Sequence, residues 1–206
     1  EGQKNQYDGL IEFKPFYLKA NFNYEGISTK NWFDDNSIFY NLIKSELFNN
    51  ENLNVNLNLK IKDIVNINEL NNLFLNLVVE SGDINFLDSN IMWKDDLKIH
   101  LTESLLNIDQ DEIYLTGKIV IDIKDTIDFY KSFQIKKDYR KKIEEVKFDF
   151  NYNFTEQKIS FNNFEIDNKP SLNIENFVEK FNLEEKFFNK ITFKNFVNDF
   201  FKVYFG

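Results

Sequence analysis

Residues 53–62 have the sequence LNVNLNLKIK, in which apolar and polar side chains alternate without a break. Successive side chains of a β-strand point to opposite faces of a sheet, so this alternation predicts a strand with one apolar face. Leu57 and Leu59 would lie on the apolar face, whereas Asn56 and Asn58 would face water. The pattern extends over residues 52–65, which is long compared with the usual strand of about five or six residues.

The same alternation predicts a series of strands along the chain. The first contains a phase flip at Pro15, and since proline cannot donate to a strand ladder, the flip indicates a bulge or an edge strand. Short polar breaks between the later strands favour antiparallel hairpins. The predicted strands cover residues 10–24, 52–65, 73–80, 83–92, 96–103, 112–123, 146–154 and 159–166.

Three parts of the chain have a helical period instead, at about residues 31–48, 125–134 and 172–204. Their apolar residues recur three and four positions apart, which predicts amphipathic helices. The last of them carries a Phe-rich stripe that includes Phe193, Phe196 and Phe200. We therefore predict one β-rich α+β domain over residues 1–206, with a long, twisted, mainly antiparallel sheet and helices packed on its apolar face.

Composition excludes several classes of function. With 42% hydrophobic residues in 206, the chain can bury a real core. Its net charge of −9 repels phosphate backbones, so we expect no nucleic-acid partner. Cysteine is absent, which removes disulfides and thiolate chemistry. No stretch approaches the roughly 20 apolar residues that span a bilayer. Because the sequence starts at Glu1, we interpret it as a fragment of a longer protein.

Signals for catalysis are weak, and we predict no enzyme, no cofactor and no metal site. His100 is the single histidine and lies on the polar phase of a predicted strand. Glycine-rich phosphate loops and the Gly-x-Ser-x-Gly motif are missing from the sequence. A hydrolase that uses His100 with acidic residues is the weakest alternative. The adjacent acids are Asp34 with Asp35, Asp95 with Asp96, and Asp109 with Asp111.

A basic run at residues 136–142 stands out in an acidic chain. It could contact phosphate head groups. Alternatively, it is a solvated helix end, where cations suit the helix dipole. The candidate head-group residues are Lys136, Lys137, Arg140, Lys141 and Lys142.

The apolar face of the sheet admits two interpretations. It is either sealed completely by the helices, as in an ordinary core, or it is longer than the helices can cover and leaves a groove for acyl chains. The candidate lipid-facing residues are Val55, Leu57, Leu59, Ile119, Ile121, Val146, Phe148, Phe150 and Tyr152.

The order of segments from residue 82 onward resembles a known family. GDINFLDS at residues 82–89 is followed by LTGKI at 115–119, DFYKSFQ at 128–134, RKKI at 140–143 and the strand at 148–154. Over about residues 50–205 this arrangement is similar to the C-terminal part of AsmA-like proteins, which resemble the repeating β-groove lipid-bridge proteins.

The resemblance implies a non-enzymatic segment of an envelope protein. Such a protein would lie in the periplasm, anchored to the inner membrane by a segment outside this sequence, and would serve lipid transport between membranes or outer-membrane assembly. The implied partner is a phospholipid or another acyl lipid. The alternative is a structural or partner-binding module with a fully sealed core.

Overall fold

The computed structural model describes residues 5–14, 16–28, 41, 43–45, 48, 50–65, 67–109, 112–184 and 190–206. Its strands are β1 (Gln6–Phe13), β2 (Phe16–Ile27), β3 (Leu53–Ile64), β4 (Leu70–Glu80), β5 (Asp83–Phe86), β6 (Ser89–Trp93), β7 (Leu97–Asp109), β8 (Glu112–Ile123), β9 (Glu145–Asn153), β10 (Lys158–Ile166) and β11 (Lys169–Pro170). The helices are α1 (Ile127–Phe133), α2 (Leu172–Leu183) and α3 (Lys190–Phe205), and a 3-10 turn covers Lys137–Tyr139.

Within these residues, eleven strands form a single sheet in the order β1-β2-β3-β4-β5-β7-β8-β9-β10-β11. β6 follows β5 end to end in the same position, between β4 and β7. All pairs are antiparallel except β2 with β3, which are parallel. A parallel pair needs a crossover connection, and the segment between Ile27 and Leu53 supplies it. The predicted β-rich α+β fold with a long, mainly antiparallel sheet and a Phe-rich C-terminal helix is confirmed.

The interpretation of residues 10–24 as one faulty strand is wrong. β1 and β2 are separate strands that pair antiparallel from Gln6 with Asn23 to Phe13 with Phe16. The flip of the apolar phase near Pro15 marks the reversal of the chain. The second part of the interpretation holds, because β1 is the edge strand of the sheet.

Bulges keep the apolar residues of several strands on one face. In β7, the pairing with β8 shifts between Thr102 and Leu105, and Glu103 has a left-handed φ of 49°. Leu101 precedes the extra residue, and Ser104 and Leu106 follow it. Because of the extra residue, these odd- and even-numbered side chains all face the same side of the sheet. The strand predicted over 96–103 therefore continues to Asp109.

The same device acts at three more places. The strand predicted over 83–92 is interrupted at Asp88, whose φ is 49°, and divides into β5 and β6. Asn72 in β4 and Asn163 in β10 also have positive φ, at 49° and 52°, beside shifts in pairing register. Asn and Asp tolerate this conformation better than most side chains.

Two hydrophobic clusters cover the apolar face. The C-terminal cluster joins β8, β9 and β10 to α1, α2 and α3, and the N-terminal cluster joins β3, β4, β5 and β7 to a segment that contains Ile43. Ile43 is 1% exposed, and Phe48 packs against the same cluster. The helix predicted over 31–48 lies mostly outside the described residues, although Ser45 N–H bonds the Asn41 carbonyl at 2.9 Å, as in a helical turn.

Aromatic rings make up most of the C-terminal cluster. Phe148 stacks on Phe164 with ring centroids 4.7 Å apart and meets Phe161 edge to face at 5.4 Å. Phe196 of α3 lies 5.0 Å from Phe161 and 4.8 Å from Phe181 of α2. Each buried Phe contributes roughly 1.5–3 kcal/mol, so these helices are firmly held to the sheet.

An amide side chain closes the β10 edge of the sheet. Asn182 of α2 accepts a hydrogen bond from the Phe161 N–H at 3.0 Å and donates one to the Phe161 carbonyl at 2.6 Å. It takes the place that the backbone of another strand would occupy. β11 pairs with Glu165 and Ile166 further along the same edge.

Removing the Phe148 ring tests the register. We expect Phe148→Ala to lower the free energy of unfolding by about 3–5 kcal/mol, because it leaves a cavity in the aromatic cluster. Asn151→Ala, at an exposed position of the same strand, should change it by less than about 0.5 kcal/mol. Urea denaturation measures both, and equal effects would contradict the register.

Removing the clamp on the β10 edge tests its contribution. Asn182→Ala should lower the free energy of unfolding by about 1–3 kcal/mol, because it leaves the Phe161 backbone groups without their partner. Asn173→Ala, at an exposed position of the same helix, is the matched control and should be nearly silent. Indistinguishable urea midpoints for the two variants would show that water replaces the clamp without cost.

Candidate functional site: the apolar face of the sheet

The structure places all nine candidate lipid-facing residues on the same face of the sheet. Across β8 and β9, Ile119 pairs with Phe148, and Ile121 pairs with Val146. Paired residues share a face, and the pairing continues through β7, across its bulge at Glu103, and through β5 to β4 and β3. The odd-numbered apolar residues of β3 therefore share the face of Phe148 and Phe150.

Four of the candidates are buried by protein. Val55 is 5% exposed within the N-terminal cluster, and Val146, Phe148 and Phe150 are 7%, 9% and 7% exposed within the C-terminal cluster. Their contact surface is occupied by the domain itself, which leaves none of it for an acyl chain.

The other five candidates are half-buried. Leu57 packs against the N-terminal cluster, and Ile119, Ile121 and Tyr152 pack against the C-terminal cluster. Burial raises the pKa of the Tyr152 phenol above its ordinary value. Leu59 belongs to neither cluster.

Leu59 is part of a band of apolar side chains between the two clusters, which we call the apolar strip. Leu59 pairs with Phe22, Tyr24 with Ile61, and Ile61 with Leu73. Across the bulge at Asn72 the band continues to β6 and β7. The strip consists of Phe22, Tyr24, Leu59, Leu73, Ile91 and Ile99, all half-buried and outside both clusters.

The strip is apolar apart from the hydroxyl group of Tyr24. Ile61 lies between the strip residues Tyr24 and Leu73 and is 1% exposed, so the domain itself already covers this side chain. The rings of Phe22 and Tyr24 stack with centroids 6.4 Å apart. Ile91 pairs with Ile99, which pairs in turn with Ile121 at the border of the C-terminal cluster.

A surface recess of about 550 Å³ lies at the same end of β2, β3 and β4 as the strip, but on the polar face. Asn23, Lys60 and Phe74 form one cross-strand row in its lining, and Lys62 lies two residues further along β3 on the same face. Glu25 also lines the recess, and its carboxylate accepts a hydrogen bond from Lys62 Nζ at 3.2 Å, which raises the pKa of that lysine. Lys60 Nζ lies 6.0 Å from the centre of the Phe74 ring.

The face of the sheet opposite the strip is polar. A ladder of side-chain amides crosses β1, β2 and β3, because Asn21 donates to Asp8 at 2.8 Å and Asn58 donates to Asn21 at 3.0 Å. Asn58 also lies 3.1 Å from the Asn56 side-chain oxygen. The two faces thus differ sharply in chemistry, which leaves the apolar face as the candidate surface for an apolar ligand.

The basic run lies beside the C-terminal end of α3, and part of it is already engaged. Arg140 Nε donates to the Ile135 carbonyl at 2.8 Å, and Lys141 Nζ lies 5.1 Å from the centre of the Phe205 ring. Lys142 bonds Glu144, which raises the pKa of its ammonium group. Lys136 and Lys137 are exposed. Cations at this position suit the negative end of the helix dipole.

The groups considered for catalysis do not converge. His100 lies on the polar face, where its Nε2 is 2.9 Å from an Asp122 carboxylate oxygen. Burial, and then the nearby Asp128 and Asp125, raise the pKa of Asp96. Asp34, Asp35 and Asp111 lie outside the described residues, as does the side chain of Asp109. In the part of the chain that the structure describes, no three acidic or histidine side chains are grouped to hold a metal.

Comparison with known proteins gives no relative. No protein-family model, curated protein or solved structure matches this chain. Among the described residues, no helix is both long enough and apolar enough to cross a bilayer. The resemblance to AsmA-like proteins therefore stays a prediction.

The strip contains residues that were not among the candidates. Phe22, Tyr24 and Leu73 lie within the strands predicted over residues 10–24 and 73–80. Nothing in the sequence, however, places β2 beside β3 in parallel. The pairing order of the strands identifies these residues, because it places Tyr24, Ile61 and Leu73 side by side across β2, β3 and β4.

Proposed function

We propose that this domain binds acyl chains of a lipid along the apolar strip and acts without catalysis. The observation that carries the proposal is the band of half-buried apolar side chains across β2, β3, β4, β6 and β7, whose members belong to neither of the two hydrophobic clusters on that face. Acyl chains need no specific polar partner, and each buried CH₂ contributes about 0.8 kcal/mol.

The basic run offers a place for a polar head group. Its exposed Lys136 and Lys137 carry ammonium groups that suit an anionic or zwitterionic phosphate, whereas Arg140, Lys141 and Lys142 already have partners within the domain. The recess beside Lys60 and Lys62 lies on the face of the sheet opposite the strip, so we do not assign the head group to it.

The wider role follows from the sequence resemblance. We propose that the chain is a segment of an AsmA-like envelope protein in the periplasm, anchored to the inner membrane elsewhere, and that the strip takes part in inter-membrane lipid transport or outer-membrane assembly. The resemblance to lipid-bridge proteins and the one-sided apolar sheet are the two supports for this role.

A second candidate function is a structural or partner-binding module. The burial of Val55, Val146, Phe148 and Phe150 favours it, because most of the apolar face is covered by the domain's own side chains. The two functions differ in whether the strip contacts lipid, which is directly measurable.

Photo-crosslinking tests the lipid proposal. We expect benzoylphenylalanine at Leu59 or Phe22 to crosslink to phospholipid when the protein is mixed with vesicles of phosphatidylethanolamine and phosphatidylglycerol. The same group at Asn58, the neighbour of Leu59 on the polar face, should give no lipid adduct. Mass spectrometry of the adducts measures both. Lipid adducts absent from Leu59 and Phe22 would favour the second candidate.

A matched pair of substitutions tests the strip without a crosslinker. Leu59→Asp places a charge among apolar groups and should reduce co-purifying lipid severalfold, whereas Asn58→Asp adds the same charge on the polar face and should leave it unchanged. Native mass spectrometry quantifies bound lipid, and a urea melt checks that both variants fold. Equal lipid content in two folded variants would contradict the proposal.

A further inference from the structure

The two edges of the sheet differ in how well they are protected against pairing with a further strand. At the β10 edge, Asn182 clamps Phe161, β11 covers Glu165 and Ile166, and a bulge with Asn163 at positive φ bends the strand. Each of these blocks the addition of a further strand. At the β1 edge the register with β2 is continuous from end to end.

All eight residues of β1 are exposed. Tyr7, Ile11 and Phe13 are 79%, 55% and 76% exposed, and Leu10 is 52% exposed. Natural proteins protect an edge strand with lysine, proline or a bulge, and β1 has none of these over Gln6–Phe13. An exposed eight-residue edge of about 26 Å with an unbroken register is a template for another strand.

The side chains of β1 define the chemistry of that strand. Tyr7, Ile11 and Phe13 continue the apolar face of the sheet, since they pair with Phe22, Leu18 and Phe16 of β2. On the other face β1 carries two acids and no base, with Asp8 and Glu12 both exposed. An incoming strand that alternates apolar and basic residues would meet apolar groups on one face and carboxylates on the other.

A second copy of this chain fits the edge poorly in the register centred on Leu10. Antiparallel pairing of two β1 strands centred on Leu10 keeps Tyr7 opposite Phe13, but it sets Asp8 opposite the Glu12 of the other copy. Like charges directly opposite each other are destabilising. The net charge of −9 on each chain adds further repulsion.

We propose that the β1 edge binds an extended strand of a partner protein in which apolar residues alternate with lysine or arginine, so that the sheet continues into the partner. The backbone groups of β1 supply affinity, and Asp8 and Glu12 select for basic residues. This interaction is independent of lipid binding at the apolar strip.

Peptide binding to the whole chain tests this proposal. The probe is a fluorescent octapeptide of alternating valine and lysine, and its control is the same peptide with glutamate in place of lysine. We expect the wild type to bind the lysine peptide and not the glutamate peptide in fluorescence anisotropy. Hydrogen exchange should show protection of β1 amides when the lysine peptide is bound.

Charge reversal at the edge supplies the matched variants. Glu12→Lys should weaken binding of the lysine peptide by roughly fivefold or more and improve binding of the glutamate peptide, because it reverses one cross-strand charge pair. Glu12→Gln should fall between wild type and Glu12→Lys. Glu80→Lys makes the same change at the exposed end of β4 and should bind as the wild type does.

Three results would overturn the proposal. The first is equal affinity of wild type and Glu12→Gln for the lysine peptide. The second is hydrogen-exchange protection outside β1. The third is a wild-type dimer in sedimentation with protected β1 amides, which would assign the edge to a second copy of the chain.

Discussion

The sheet has to bury one face only, and the rest of the structure depends on this constraint. From β2 to β10, the strands present apolar side chains to the same side, while the other side carries amides and charges such as the Asp8, Asn21 and Asn58 ladder. The helices therefore collect on one side, and their Phe stripes match the apolar rows beneath them. The apolar strip lies where the coverage by the two clusters stops.

Much of the fold follows from local pattern, and the exceptions have a common cause. Period-2 alternation locates β3, β8 and β9 within a few residues, because these strands have regular register. It fails at Glu103 and Asp88, where one residue in the left-handed region shifts the alternation of apolar residues. At Glu103 the shift makes a position inside a continuous strand look like a strand end, and at Asp88 it hides an interruption between two strands. It also fails between Phe13 and Phe16, where a reversal of chain direction resembles a fault within one strand.

The candidate site was predictable only in part. Membership of the apolar face follows from alternation, so all nine candidates lie on it. Whether a side chain on that face is covered depends on which helix packs over which cross-strand row of side chains, and no local sequence pattern encodes this packing. Phe148 and Leu59 have equivalent sequence environments, yet Phe148 is in the aromatic cluster and Leu59 is outside both clusters. The Asn182 clamp was equally hidden, because an asparagine in a helix carries no signal of its tertiary partner.

The parallel pairing of β2 with β3 has a consequence for the order of folding. Asn21 and Asn58 are 37 positions apart, whereas β9 and β10 are joined by much closer contacts along the chain. Closing a long loop costs more chain entropy before any contact compensates for it. The β9–β10 hairpin should therefore form early, with the β1–β2 hairpin docking later onto a preformed β3. Until that step the edge of β3 is unpaired, which makes it the point at which a folding chain is most exposed to misassociation.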